Sequence, residues 1–381
     1  MVATERVIAG FEERFQAQPS TLISVPATLT LLGSHTDYHD GYVLLGNTDL
    51  YTQIALRPRS DRTVVVHDVD SGESETFDLD NFEQASGGWQ NYLRGVAWAF
   101  NEQEQPIQGW EATLATDIPT HIELGQVPSL LVGFLYGFMT SAQLSLNHTV
   151  LAYIASRAMR EWVGGHYYTA QVLSLLRTPA HSVSRVDLKT REVQVTPFSR
   201  DVSVFLVDTQ RRATEVETIL HQRTDEVLEV IRLFRVQSLR DLSMTRFEKD
   251  RDDLYDEHFM RARHVLTENA RVILATEMIK ANAFVTVGRM MNDSHTSLRN
   301  DYGMGHDELD IATECARKQP NVYGARALNG LDGVVVAMVQ NFSRDTSRKL
   351  AEIQFQKQVG VRPISLPINW VGGVKVKAYE G

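Results

Sequence analysis

The chain has 381 residues, with 38 lysines and arginines against 48 aspartates and glutamates, a formal net charge of −10, and 43% hydrophobic residues. That acidic balance argues against nucleic acid or an anionic membrane surface as the main partner, since both need a basic face. The composition is that of a globular chain with a sizeable core, and the length exceeds one ordinary core, so two domains are expected.

The first residues, MVATERVIAGFEERF, lack a basic stretch followed by an apolar one, so no signal peptide is expected. Residues 21–58 alternate short apolar runs with turn signals: Ile23, Ser24 and Val25 lead to Pro26, and Asp40-Gly41 reads as a hairpin turn before Tyr42 to Leu45. Thr63 to His67 is a further strand, which makes the first 80 residues mostly β. Residues 89–100 carry Tyr92, Leu93, Val96 and Phe100 at helical spacing. Two more helices are expected over 128–140 and 150–163; the apolar stretch 128–142 is too short to span a bilayer and reads as buried. Residues 202–207 form a short, fully apolar strand.

Beyond this the pattern turns helical, with Val216, Ile219, Leu220, Val227 and Ile231 on one face, a long helix over 255–281, and another starting at Asp307 as N-cap. Cys315, spaced with Leu309 and Ala312, reads as a small core residue; as the one cysteine it excludes an intrachain disulfide and fits a reducing, cytoplasmic setting. A β-branched run over 333–339 predicts a buried strand, and shorter strands are expected at 364–368 and 374–376. A β-rich first half, a helical middle and late strands predict two α+β domains, 1–200 and 201–381.

The most ordered motif is PATLTLLGSHTDYHDG, residues 26–41. It resembles the galactokinase signature, PGRVNLIGEHTDYNDG, and the resemblance extends over residues 10 to 378. GWQNYLRGV (88–96), RARHVLTENARV (261–272) and MNDSHTSLRNDY (291–302) follow the same family's framework. The resemblance implies the two-domain α+β fold of the GHMP small-molecule kinases: an N-terminal α/β domain that binds sugar, a C-terminal α+β domain, and a cleft between them. It places Ser34, His35, Asp37 and Gly41 at the sugar, where hydroxyls need charged or imidazole partners shielded from water.

Several family positions carry other residues. The family's signature arginine and glutamate are Thr28 and Ser34. Its phosphate loop, PxGxGLSSSAS, aligns with residues 119–129, so two glycines become His121 and Glu123 and three serines become Gly125, Gln126 and Val127. Glu123 puts negative charge where a triphosphate would lie, and Pro128 removes a backbone donor. The GIMDQ aspartate aligns with Ala170, before Gln171, and alanine can neither accept a proton nor orient a hydroxyl. A tyrosine that touches the sugar aligns with Leu220, and the glycine-rich GARMTGGGFGG is GARALNGLDG, one residue shorter (324–333).

From this we expect a catalytically inactive or severely impaired galactokinase-like protein with no catalytic residue, no metal and no cofactor. It would serve as a sugar-binding, regulatory or partner-binding homologue, with a small sugar or a regulatory protein as partner, and neither nucleic acid nor membrane. The alternative is an active ATP-dependent sugar kinase with rearranged residues, using Mg-ATP.

Overall fold

Burial on both faces explains the most apolar strands. In the computed structural model, which describes residues 2–120, 122–165 and 168–380, thirteen strands are found among the described residues: β1 (Thr21–Leu32), β2 (Tyr42–Pro58), β3 (Thr63–Asp68), β4 (Ser74–Asp78), β5 (Trp110–Thr116), β6 (Ser182–Asp187), β7 (Val193–Pro197), β8 (Val202–Asp208), β9 (Val322–Ala327), β10 (Val334–Gln340), β11 (Ile364–Ile368), β12 (Trp370–Val371) and β13 (Lys375–Ala378). One sheet runs β13-β1-β2-β5-β3-β4, with β6, β7 and β12 joined beside β2; the other is β11-β8-β10-β9. All pairings are antiparallel except β3 with β5.

The helices are α1 (Ala3–Phe15), α2 (Gly88–Asn101), α3 (Gln126–Ser141), α4 (His148–Arg157), α5 (Thr169–Arg177), α6 (Val216–Phe234), α7 (Met244–Lys249), α8 (Asp256–Lys280), α9 (Phe284–Asn300), α10 (Asp307–Arg317) and α11 (Arg344–Val359). α2 to α5 pack on the first sheet, around Leu93, Phe100, Trp110, Phe134, Phe138 and Ile154. Val204, Leu206, Val334 and Val336 face a core shared with Ala27, Leu29 and Leu44 of the first sheet and Val272 and Met291 of α8 and α9. The alternate residues of β8 and β10, Phe205, Val207, Val335 and Ala337, face a second core built with α6, α10 and α11. A strand with apolar packing on both sides must be apolar at every position, which is the run visible at 334–339.

The expected helices and strands are present, with differences at their ends. The β-rich start also contains α1, whose Ala3, Val7 and Phe11 are buried against Ala55 and Ala115. The helix expected over 150–163 is α4 followed by a π-helical turn, Ala158–Val163, closed by Gly164 in the left-handed region. His306 rather than Asp307 is the N-cap of α10, and Asp307, Glu308 and Asp310 fill its first turn, where the helix dipole favours them. Cys315 is buried in the second core. β12 and β13 carry the chain's end back to the first sheet, pairing with β2 and β1. No helix of the described residues is long and apolar enough to cross a membrane.

α9 and β9 cross with their backbones touching. A Cβ on Gly324 would lie 2.0 Å from the Gly288 carbonyl oxygen, and one on Gly288 would lie 2.1 Å from the Tyr323 carbonyl oxygen. Backbone cannot yield as a side-chain tip can. Gly324→Ala is therefore expected to destabilise the protein by about 3 kcal/mol, read as a lower urea midpoint; an unchanged midpoint would show that the crossing relaxes freely.

Candidate functional site

Three loops and one helix start meet at the junction of the sheets. The first loop, residues 33–41, joins β1 to β2. Gly33 has φ +95, His35 +63 and Asp40 +56, and a short 3-10 turn, Asp37–His39, lies between. The hairpin expected at Asp40-Gly41 is thus a wider, wound connection. Thr36 ties it internally, its hydroxyl donating to the Gly33 and Tyr42 carbonyls at 2.8 Å and its carbonyl accepting from Gly41 N–H at 2.8 Å. Gly41 has no room for a side chain: a Cβ there would lie 2.5 Å from Thr36 Cβ and 2.6 Å from Asn269 Oδ1.

α8 clamps this loop from below. Glu268, fully buried, accepts from Gly33 N–H at 2.8 Å, from the Ser294 hydroxyl at 2.7 Å and from Arg271 Nε at 2.7 Å. Burial opposes its charge, but Arg271, Arg326, His264 and the Gly33 N–H outweigh that and hold its pKa down to about 2. His264 Nε2 lies 3.2 Å from the Ser34 carbonyl, and Asn269 accepts from Tyr42 N–H at 2.8 Å. From β9, buried Arg326 donates to the Leu31 carbonyl at 3.1 Å and to the Ser34 hydroxyl at 2.7 Å. The framework stretches 261–272 and 291–302 are therefore what holds the signature loop.

Two expected sugar contacts are engaged within the protein. The Ser34 hydroxyl donates to the Leu328 carbonyl at 2.6 Å. His35 has Nδ1 2.9 Å from the Tyr38 hydroxyl and Nε2 2.7 Å from the Asn329 carbonyl, and its ring stacks on Tyr302 at 4.9 Å. Tyr38 and Tyr302 join hydroxyls at 2.9 Å. Asp37 is half-buried at the start of the 3-10 turn. Burial raises the phenols of Tyr38 and Tyr168 above their ordinary range, and the carboxylates of Asp37 and Glu123 add to both, which puts all four groups in one neighbourhood.

The second loop precedes α3. His121 lies outside the described residues. Gly125 is the left-handed N-cap of α3, and a Cβ there would lie 2.3 Å from Thr28 Oγ1. Thr28, buried, also donates its N–H to the Leu124 carbonyl at 3.0 Å. Gln126 and Val127 are half-buried in the first turn of α3; Pro128 follows, and the Ser129 hydroxyl turns away to donate to the Val25 carbonyl at 3.0 Å.

The third loop, 328–333 between β9 and β10, closes over the second. Glu123 accepts from the Asn329 side-chain amide, and its own N–H donates to Asp332 Oδ2 at 3.3 Å. Asn329 Oδ1 in turn accepts from the N–H groups of Leu331 at 2.8 Å and Asp332 at 3.0 Å. Asp332 is buried, and that burial, with Glu123 beside it, pushes its carboxyl up to about 7. Sequence reasoning missed Asn329 and Asp332 as site residues, although the missing glycines of 324–333 were the available signal. Ala170 is buried in the first turn of α5, and no residue of α5 carries a carboxylate. Leu220 packs half-buried against the second core.

The comparisons agree with this geometry. Residues 9–58 match the family model for the galactokinase galactose-binding signature. A galactokinase from Roseiflexus sp. (strain RS-1) is 28% identical over 354 residues, 91% of this chain and 90% of that protein. The crystal structure of Lactococcus lactis galactokinase complexed with galactose superposes with a TM-score of 0.90 at 25% identity, covering 97% of this chain and 98% of that one.

This chain is similar to galactokinases over nearly its whole length.

Its GHMP kinase fold is shared more distantly with mevalonate kinase from Methanococcus jannaschii, at a TM-score of 0.65 and 12% identity over 93% of this chain and 99% of that one. Within this galactokinase-like protein the clamp and the buried imidazoles set the acid response. Burial holds His35 and His264 at about 4 and His39 and His295 at about 3. Each is neutral when folded and titrates near 6.5 when unfolded, so the unfolded state binds more protons below pH 6.5 and stability falls as pH drops towards 4. Burial lowers His148 and His306 as well, while Asp332 and Asp310, raised by burial, act in the opposite sense, two groups against six. The melting temperature is expected to fall steadily from pH 7 to about pH 5; a flat or rising profile would contradict this reading. Glu268→Gln, which leaves Arg271 and Arg326 short of a counter-charge, should cost about 3 kcal/mol, measured by urea unfolding at neutral pH.

Proposed function

We propose that this galactokinase-like protein no longer transfers phosphate and acts as a sugar-binding or regulatory homologue. The observation that carries the reading is chemical: α5, the helix aligned with the family's aspartate, offers Thr169, Ala170, Gln171 and Val172 in its first turn and no acid at any position. No group there could act as a general base for a hydroxyl proton; the buried Gln171 Oε1, without a donor among the described residues, can accept a hydrogen bond but not take the proton. Thr28 supports it, a short buried side chain at the signature's arginine position, packed on Gly125.

The residues around the start of α3 do not fit a magnesium triphosphate. Glu123 and Asp332 carry acid to the place a polyanion would occupy, Pro128 has no N–H, and Asn329 already bonds Glu123. Like charges about 4 Å apart repel by roughly 1 kcal/mol in water and more in a poorly solvated cleft. We assign no step to such a group. What the cleft offers a small sugar is Asp37, His35 and Ser34, each of which would have to exchange its present partner for a hydroxyl.

A second reading is an active ATP-dependent galactokinase that uses Mg-ATP through rearranged residues. The relatives favour it more directly than the first: proteins matching this chain over nine-tenths of both lengths bear the name galactokinase, among them one from Chloroflexus aggregans (strain MD-66 / DSM 9485).

One assay separates the two. Purified protein with galactose and Mg-ATP, coupled to ADP release, is expected to give no turnover above the no-enzyme rate. Ordinary kinase turnover would overturn the first reading and establish the second. Mg-ATP is likewise expected to leave the melting temperature unchanged; binding at a hundredfold excess over Kd would add about 2.7 kcal/mol and be plainly visible.

A further inference from the structure

Away from the cleft, a cavity of about 210 Å³ opens between the end of the first sheet and the edge of the second, lined by side chains that include His181, Ser199, Arg200, Asn341 and Trp370. None of its lining residues belongs to the loops 33–41, 118–129 or 324–333. The lining is rich in donors and contains no carboxylate. Arg200 is exposed and holds no hydrogen bond or ion pair among the described residues. Trp370 is 6% exposed, and its indole N–H is buried without an acceptor among those residues. The benzo edge of that indole lies against Gly46, which turns the N–H edge the other way.

The acids near this cavity are largely committed. Asp49 accepts from the Asn369 N–H at 2.9 Å and from its side-chain amide at 2.6 Å. Asp345 lies 3.8 Å from Arg344, which itself reaches the lining residues Ser203 and Asn369 at 3.2 and 2.7 Å. Asp201, next to Arg200, donates its N–H to the Ser199 hydroxyl at 3.2 Å; its carboxylate is exposed and makes no ion pair among the described residues. A permanently charged guanidinium without a partner, an exposed imidazole, a serine hydroxyl and a carboxamide line the cavity together. An oxyanion with several oxygens can accept from more than one of them at once, and a charge-assisted bond to the guanidinium is the strongest of these.

We propose that this cavity is a binding site for a phosphoryl group, as inorganic phosphate or the phosphate of a small metabolite, separate from the kinase cleft.

The test is calorimetric titration of the full-length protein with inorganic phosphate at low ionic strength, with acetate titrated in parallel. Phosphate should bind saturably at one site, with Kd at or below about 1 mM, and more tightly than acetate. Arg200→Ala should weaken it about tenfold; because Arg200 is exposed, this variant keeps the fold, which an unchanged melting temperature without phosphate would verify. No saturable phosphate binding, equal affinity for acetate, or undiminished binding by Arg200→Ala would each overturn the proposal.

Discussion

A carboxylate taken wholly out of water is tolerable only when its lone pairs and charge are answered, and the organisation of this protein around its cleft follows from how Glu268 is answered. Gly33 supplies a backbone N–H, Ser294 a hydroxyl and Arg271 a guanidinium. Those three partners come from the β1–β2 connection, from α9 and from α8 itself. One buried charge therefore ties the signature loop of the first sheet to the two long helices behind the second. Removing a partner from such an arrangement leaves an uncompensated charge, so the arrangement is costly to change piecemeal. This explains why the stretches 261–272 and 291–302 read so clearly as family framework: their side chains hold the loop, whatever chemistry the loop performs.

Above the clamp the loop is held from the other side by contacts made within the protein. The carbonyls of Leu328 and Asn329 meet Ser34 and His35, and the Asn329 side chain meets Glu123. Three connections from distant parts of the sequence thereby become one bonded surface. A glycine-rich loop in the place of 328–333 could not do this, because it has no side chains with which to cross the cleft. Asn329 and Asp332 provide them, and Asn329 also folds its own loop by accepting from Leu331 and Asp332. The acid at Glu123, which in isolation looks like a bare negative charge in a phosphate loop, thus has a donor in the same structure.

Much of the fold was legible because long periodic segments announce themselves. α2, α8 and the strand pair β8 and β10 lie within a residue or two of their expected bounds, since burial on one or both faces leaves a repeating mark. α1 leaves only a faint mark, Ala3, Val7 and Phe11 repeating every four residues among polar neighbours. The return of β12 and β13 to the first sheet is set by pairing over more than 300 residues of separation, for which no local pattern exists. At the site, sequence placed Ser34, His35 and Asp37 on one loop but could not show that Asn329, Asp332, Tyr38 and Tyr302 surround them. Cross-cleft hydrogen bonds depend on which rotamers two loops adopt together, and that information is absent from either loop alone.

The altered positions also constrain one another. Thr28 Oγ1 and a Cβ on Gly125 would compete for the same space, so the residue at the start of α3 must stay small while the threonine remains. Ala170 is fully buried. A carboxylate placed there would carry the desolvation cost of a buried charge. A cation at position 28 would sit beside Gly125 at the start of α3, where the helix N–H groups favour anions over cations. Neither change is favourable first, and contacts in one network do not add independently. The clamp on Glu268 holds the loop beneath the cleft independently of these positions.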